Sequence, residues 1–494
     1  MITRFLFITL LLCIVCSPAT AQEVIIKDIE GPSKVCKGDL RDFMHKSRTS
    51  VGMSKVKFSA KTDNTVINYR DRITNMPQYL NDFIDQYTVA GKEVLNGGSN
   101  WLSDPSKGEI VSSSYTHILR EVTDSAPFSF PAGSSSDAIK SAAVDAFSDQ
   151  LDSEYDVLES FLPYAFLSAN YDHPEIFWIG NEFKYGRNCK YSISYYPSGT
   201  GTVTYTITLI LILYGQDFDI RANGISTYNF CNTTNLYSGV QSFNSYVQTI
   251  LDQCPVDGSR YEKLVAAHDW LTHNNCYNPY FPQYSQSQIG DTPWSSFSAL
   301  EGNNGQPAPV CEGYARAFKV LCDTQKIPCI LMSGNARSSS SAAEGSHMWN
   351  YVQMENGKWY AVDVTWDDPS VKYSYNAVSG YESHDWFLLG STSDIGDGFT
   401  FIESHPEEWF KDYSHGGSYS WDLISGPELA QVAWSPEEDR DPCDINHDGI
   451  IDEEDINLMA EKIVNDDKDI EDIDGNDRIT IGDLVLLIKR HLSE

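Results

Sequence analysis

The chain has 494 residues, with 35 Lys and Arg against 69 Asp and Glu and a formal net charge of −34. Such a length holds two or three domains. So acidic a chain repels nucleic acid and anionic membranes, which excludes both as partners, and it suits a soluble secreted protein with a calcium site.

Residues 1–21 read as a secretory leader. Arg4 precedes an apolar run from Phe5 to Val15, and Ala19-Thr20-Ala21 forms a cleavage site. The run is too short to span a membrane. Val15 stands before Cys16 where lipid attachment wants a small residue. Leu209 to Tyr214 is apolar but short, and it follows the alternating Thr202 to Thr208, so it reads as a strand. Of 11 cysteines, Cys13 and Cys16 leave with the leader, so nine remain. An odd number leaves at least one thiol free, and the spacing fixes no pairing.

Residues 22–107 are polar and show no chemistry. Leu80, Phe83, Ile84 and Tyr87 recur at helical spacing and predict a helix over 79–87. Residues 128–136 form a Pro/Gly/Ser loop, and 137–161 read as a helix. Residues 190–196 and 202–214 predict a hairpin across Pro197 to Gly201. Residues 243–251 and 261–271 look like amphipathic helices.

Val310 to Asp368 is the chemically dense stretch. It reads V-C-E-G-Y-A-R-A-F-K-V-L-C, a Ser-rich loop, then G-S-H-M-W-N-Y-V-Q-M-E-N-G-K-W-Y-A-V-D-V-T-W-D-D. Tyr314, Ala317, Phe318, Leu321 and Cys322 predict a helix with Cys311 at its start. There the dipole and unpaired N–H groups favour a thiolate. Gly313 is expected to leave room for a substrate backbone. His347, Trp349 and Tyr351 share one face of a strand, and 358–366 read as the return strand. A two-residue turn would put Asp363 on the face opposite His347. A three-residue turn, Glu355-Asn356-Gly357, pairs Trp349 with Asp363 and makes His347 its diagonal neighbour. The three-residue turn is therefore expected, with Gly357 at positive φ.

These three motifs resemble the bacterial transglutaminase-like superfamily of papain-like fold. The resemblance implies an α+β catalytic domain with Cys311 as nucleophile, His347 as base and Asp363 as the acid that orients it. Singly, Cys311 could be a buried thiol and His347 an ordinary strand histidine. Their occurrence in order, in three matched contexts, decides for the triad. Tyr171 to Trp178 is also similar to an upstream segment of such proteins. His173 and His268 are expected to be surface or capping histidines, and His384 and His405 to be structural. An oxyanion hole needs the Cys311 N–H and one more donor, for which Gln306 and Trp294 are candidates.

Residues 426–442 form a linker, from Gly426-Pro427 through Pro436 to Asp441-Pro442. From Asp441 onward there are 17 acidic and 5 basic residues, a net of −12. An internal repeat follows. Asp444, Asn446, Asp448, Asp452 and Asp455 recur 28 residues later as Asp472, Asp474, Asn476, Thr480 and Asp483. Oxygen side chains thus fall at positions 1, 3, 5, 9 and 12 of a calcium loop, and Ile450 and Arg478 stand at position 7, where a backbone carbonyl binds. Asp477 replaces the usual Gly at position 6. An apolar-striped helix follows each loop, 456–464 and 484–492.

Duplicated loop–helix units ending in Asp resemble the dockerin module of cellulosomal proteins. The resemblance implies two Ca²⁺ ions, a cohesin partner on a scaffold protein, and partner choice through Glu453, Glu454, Ile481 and Gly482. The expected architecture is a leader (1–21), an N-terminal region (22–107), an α+β transglutaminase-like domain (108–425), a linker (426–442) and an all-α dockerin (443–494). The expected function is that of a secreted, scaffold-docked cysteine peptidase of an anaerobic fibre degrader, acting on proteins or peptides. A cross-linking transglutaminase and a silent binding module are the alternatives. No glycosidase carboxylate pair can be assigned.

Overall fold

The structure is a computed structural model that describes residues 22–39, 68–70, 76–95, 109–111, 114–215, 217–220, 226–229, 233–256, 258–278, 292–302, 309–368, 383–396, 398–406, 426–436, 443, 445, 451–465, 473 and 480–492. Residues 1–21, Gln306 and most positions of the expected calcium loops lie outside these residues.

The elements in chain order begin with β1 (Val24–Glu30), β2 (Lys34–Asp39), α1 (Gln78–Leu95), β3 (Glu109–Val111) and β4 (Ser114–Ser129). Next come α2 (Ser136–Asp145), α3 (Ser148–Asp172), β5 (Ile179–Tyr196), β6 (Thr200–Gly215), β7 (Asp217–Ile220) and β8 (Ser226–Asn229). Then follow α4 (Thr233–Leu251), α5 (Arg260–Asn274), α6 (Ser296–Glu301), α7 (Cys311–Thr324), β9 (Cys329–Ala336), β10 (Gly345–Gln353) and β11 (Trp359–Val362). The series ends with α8 (Val364–Asp367), β12 (Phe387–Leu389), α9 (Phe401–Ser404), α10 (Glu453–Val464) and α11 (Ile481–His491). The helix expected over 137–161 is thus two, α2 and α3, and the return strand expected over 358–366 ends at Val362.

The chain divides into two compact units, one of residues up to 37, 117–160 and 184–211, the other of 38–116, 161–183 and 212–494. Long strands dominate the first. They belong to a sheet of order β1-β5-β6-β4-β3, with β2 also paired to β5. The period of two shows in β6, where Val203, Tyr205, Ile207, Leu209 and Leu211 are buried. The alternate residues Thr204 and Thr206 pair with Ser125 and Thr123 on the exposed face, each at 2.9 Å. Phe147 stacks on Tyr205 with ring centroids 4.5 Å apart.

The second unit holds the dense stretch. Helix α7 is buried from Glu312 to Cys322, so it is a core element rather than a half-exposed one. Its polar side chains are satisfied internally. Glu312 accepts from Arg316 Nε at 2.8 Å, and Lys319 donates to the Cys329 carbonyl at 2.9 Å. Against it lies the antiparallel sheet β12-β11-β10-β9, with Asn350 Nδ2 donating to the Ala315 carbonyl at 3.0 Å. A cluster of Ile330, Met332, Trp349, Tyr351, Trp359, Ala361, Phe401 and Leu429 fills the side of the sheet that carries the odd-numbered residues of β10. No described helix is long and apolar enough to cross a membrane.

Candidate active site

Cys311 is the first residue of α7, half-buried, behind an N-cap residue, Val310, whose side chain makes no capping bond. A valine offers the first-turn N–H groups no acceptor of its own, and the positive end of the helix lies beside the sulfur. Cys311 is a free thiol.

The turn between β10 and β11 sets the partner geometry. Asn350 faces Val362 and Gln353 faces Trp359, so the next pair along the ladder is Trp349 with Asp363. Met354 and Lys358 close the turn, with Met354 N–H on the Lys358 carbonyl at 3.0 Å and Gly357 at φ 74°. Three residues lie between, and only a glycine takes that φ without cost. His347 therefore stands diagonal to Asp363, and its Nε2–H donates to Asp363 Oδ2 at 2.6 Å. Asp363 sits just beyond β11 and caps α8, its Oδ1 accepting from the N–H groups of Thr365 at 3.1 Å and Trp366 at 3.2 Å. The short helix fixes the carboxylate, which a continuing strand would not do.

His347 also hydrogen-bonds the Cys311 thiol. With Nε2 committed to Asp363, Nδ1 is the nitrogen left for sulfur. Burial works against a charged imidazole here, but the Asp363 carboxylate and the Cys311 sulfur outweigh it and raise His347 to about 10. Burial likewise opposes ionisation of Asp363, and the charge and hydrogen bond of His347 reverse this and hold the carboxyl far below its usual range. The structure thus brings Cys311, His347 and Asp363 into one chain of hydrogen bonds.

Two residues join them that the sequence reading missed. His405, at the end of α9, is fully buried and donates Nε2–H to the same Asp363 Oδ2 at 3.1 Å. Burial outweighs the upward pull of the Asp363 hydrogen bond and charge and, with a smaller push from the His347 charge, lowers it to about 4, so it is a neutral donor at neutral pH. Its Nδ1 is buried without a partner. Four donors now fill the Asp363 carboxylate, two on each oxygen. Phe401 stacks on His405 at 4.4 Å, and Trp366 stacks on His347 at 5.0 Å, which keeps water from the pair. A lone His in H-P, distant in sequence, gave no signal of this.

The second is Tyr277, three residues past α5. Its hydroxyl accepts the Cys311 backbone N–H and also bonds the Cys311 sulfur. Asn278 N–H donates to the Pro309 carbonyl and Val310 N–H to the Pro293 carbonyl, both at 2.9 Å, which clamps this strip beside the nucleophile. Burial, and then the Cys311 charge, push the phenol well above its ordinary value, so it keeps its proton. Of the oxyanion candidates, Trp294 lies on this same strip, in a 3₁₀ turn over Thr292–Trp294, and Gln306 lies outside the described residues.

Gly313 does not open space for substrate. A Cβ there would come within 2.5 Å of the Pro293 carbonyl oxygen. The glycine is required by the close approach of the Pro293 carbonyl to α7. Among the other histidines, one differs from expectation. His268 is wholly buried on α5, between Asp269 and Asp367, rather than a surface or capping residue. His173 is partly buried and pairs with Glu175 at 3.0 Å. His384 is half-exposed and reaches Asp269 at 2.7 Å.

In the tail, Asp444, Asn446, Asp448, Ile450, Asp472, Asp474, Asn476 and Arg478 lie outside the described residues. The rest repeat one arrangement. Asp455 takes the N–H groups of Ile445 at 2.7 Å and Asp452 at 2.9 Å. Asp483 takes those of Ile473 at 3.0 Å and Thr480 at 2.7 Å. Both carboxylates are fully buried. Asp452 and Thr480 cap α10 and α11. Glu453, Glu454, Ile481 and Gly482 are exposed in the first turns of those helices. Met459 and Leu487 meet with Cys443 and Ile445 in a small core.

Residues 248–364 match the transglutaminase-like superfamily. The match runs from within α4 to the residue after Asp363, so it takes in all three motif residues. No curated protein matches the chain. Among solved structures, a provisionally assigned cysteine protease of Cytophaga hutchinsonii is 14% identical, over 52% of this chain and 68% of its own, with a TM-score of 0.19. Residues 248–364 thus form the core of a transglutaminase-like α+β domain. With its thiol, imidazole and carboxylate in line, that domain is of the cysteine-dependent enzyme class.

Proposed function

We propose that the protein cleaves amide bonds of proteins or peptides by thiol acyl transfer, as a cysteine peptidase. The observation that carries this is the His347 ring, bonded to Asp363 at 2.6 Å and also to the Cys311 thiol at an uncapped helix start. The Cys311 thiolate attacks the carbonyl carbon, and the C=O pair moves onto oxygen. The Cys311 N–H and the Tyr277 hydroxyl then stabilise that oxyanion: the carbonyl oxygen takes over the N–H that Tyr277 now holds, and Tyr277 turns its proton to it. The tetrahedral adduct collapses, the C–N bond breaks, and the His347 imidazolium gives its proton to the leaving amine. A thioester remains on Cys311. Water, deprotonated by His347, releases the acid and restores the thiol. His405 holds the Asp363 carboxylate in place throughout.

An amine in place of water would give cross-linking, the second reading. The test is incubation with casein and a primary amine donor, followed by mass spectrometry. New peptide termini are expected. Amine adducts without cleavage would turn the assignment to transglutaminase, and neither product would make the domain a binding module. Cys311→Ala should show no turnover at unchanged melting temperature, and turnover surviving in that variant would remove Cys311 as nucleophile.

For the tail we infer a dockerin-like module. Its donor set is all oxygen, as Ca²⁺ requires: Asp444, Asn446, Asp448, Asp452, Asp455 and the Ile450 carbonyl in one loop, and Asp472, Asp474, Asn476, Thr480, Asp483 and the Arg478 carbonyl in the other. The identical seating of buried Asp455 and Asp483 supports two equivalent loops. The exposed Glu453, Glu454, Ile481 and Gly482 would then face a cohesin. These residues would hold two Ca²⁺ ions, whose charge would gather the acidic loops. Secretion from an anaerobic microbe and attachment to a scaffold complete this reading, and pull-down of the full chain by a cohesin in calcium tests it.

A further inference from the structure

Outside the triad, α5 carries a second cluster that the chemistry above does not use. His268 Nδ1 lies 2.9 Å from Asp269 Oδ1, and His384 Nε2 lies 2.7 Å from that same oxygen. The three ligand atoms all fall within 4.8 Å of one another. The site opens on one side only: His268 is fully buried, while the Asp269 and His384 side chains are 46% and 47% exposed. His268, His384 and Phe387 pack ring against ring at 4.9 to 5.4 Å, which fixes the aim of both imidazoles.

Behind the cluster stands a support of the kind metal sites use. His268 turns its other nitrogen, Nε2, to the buried Asp367 Oδ2 at 3.1 Å. Asp367 Oδ1 is itself held by Ser383 Oγ at 2.7 Å and the Trp386 N–H at 3.0 Å. A carboxylate accepting Nε2–H holds the ring with Nδ1 facing Asp269; without a metal Nδ1–H donates to that carboxylate, and an arriving ion would displace that proton. Carboxylate–histidine pairs of this sort orient and strengthen metal-binding imidazoles. An ion bonded at about 2.0–2.1 Å to each of three atoms in tetrahedral array needs them about 3.3 Å apart. The two separations to Asp269 Oδ1, 2.9 and 2.7 Å, fall somewhat short of that value, and the third lies within 4.8 Å.

We propose that His268 Nδ1, His384 Nε2 and Asp269 Oδ1 bind a divalent transition metal of the zinc class, with Asp367 orienting His268 and solvent in the fourth position. Two imidazoles and one carboxylate select zinc-like ions over Ca²⁺ or Mg²⁺, which want oxygen alone. The ion would pin α5 to the segment that leads into β12.

The probe is Co²⁺, titrated into the full chain carrying Cys311→Ala, stripped of metal and kept in excess Ca²⁺. That background removes the reactive thiol, and Ca²⁺ occupies the acidic loops. One equivalent is expected, with a visible d–d band that Zn²⁺ abolishes and a raised melting temperature. His384→Ala should weaken binding at least about 10-fold, the loss usual when a site's support or ligand goes, and His273→Ala, elsewhere on α5, should not. Asp269→Asn serves as a second variant if His384→Ala melts early. Absence of the band in the parent, or equal affinity in the parent and in whichever of the two variants is folded, would overturn the site.

Discussion

A hydroxyl bonded to both the N–H and the sulfur of one cysteine can either plug the site or work in it. The protonated state of Tyr277 favours work, because it retains a proton to donate. Tyr277→Phe should therefore lower kcat/KM about 10²- to 10³-fold with little change in KM, the usual effect of losing one oxyanion donor. A faster enzyme would mean that the hydroxyl only obstructs. The His347–Asp363 pair makes a prediction in pH. His347 is raised to about 10 in the fold, against about 6.5 unfolded. Its contribution to stability is fully present below about pH 6.5 and is lost as pH climbs towards 10. Asp363 is depressed, so its share is present above about pH 4 and is lost on acidification. Thermal melts across pH should show both losses in wild type, and His347→Gln should flatten the alkaline one. The alkaline limb of kcat/KM should also lie well above the ordinary imidazole range.

At the scale of elements, α7 is the piece to which the others are fitted. Its start carries Cys311, its first two turns carry the buried Glu312–Arg316 pair, and Gly313 makes room for the Pro293 carbonyl. Gly313→Ala should cost about 1–3 kcal/mol by overpacking against the Pro293 carbonyl. It should also lower kcat more than KM, since Pro293 holds Val310 and so the Cys311 N–H. A melting temperature and rate equal to wild type would show that the strip yields. The helical spacing of Tyr314, Phe318 and Leu321 was enough to predict α7, and the Asn356-Gly357 dipeptide with the face argument was enough to predict the three-residue turn. The spacing did not show that the return strand stops at Val362. Asp363 ends it by capping α8, a local hydrogen-bond choice that competes with strand propensity.

At the scale of the whole molecule, the tail and the thiol domain are expected to respond separately to metal. Chelation should unfold residues 443–492, since five oxygen side chains per loop repel one another without a cation and the core around Met459 and Leu487 is small. Circular dichroism of the tail with and without chelator checks this, while casein cleavage by the full chain should continue. Helix content indifferent to chelator would remove calcium from the loops. The net charge of −34 makes copies of the chain repel one another at low salt.

The sequence alone determined what local rules control. Periodicity placed α7, β10 and the tail helices, a turn dipeptide and the need to put His347 and Asp363 on one face set the register, and motif order singled out Cys311, His347 and Asp363. Tertiary structure decided what depends on residues far apart in the chain. His405 reaches Asp363 across 42 positions and His268 reaches Asp367 across 99. Tyr277 meets Cys311 only because Asn278 and Pro309 pair. Such contacts leave no periodic trace, since one side chain at one distant position suffices to make them. They are set by how helices and sheet pack, and packing is a property of the folded chain rather than of any window along it.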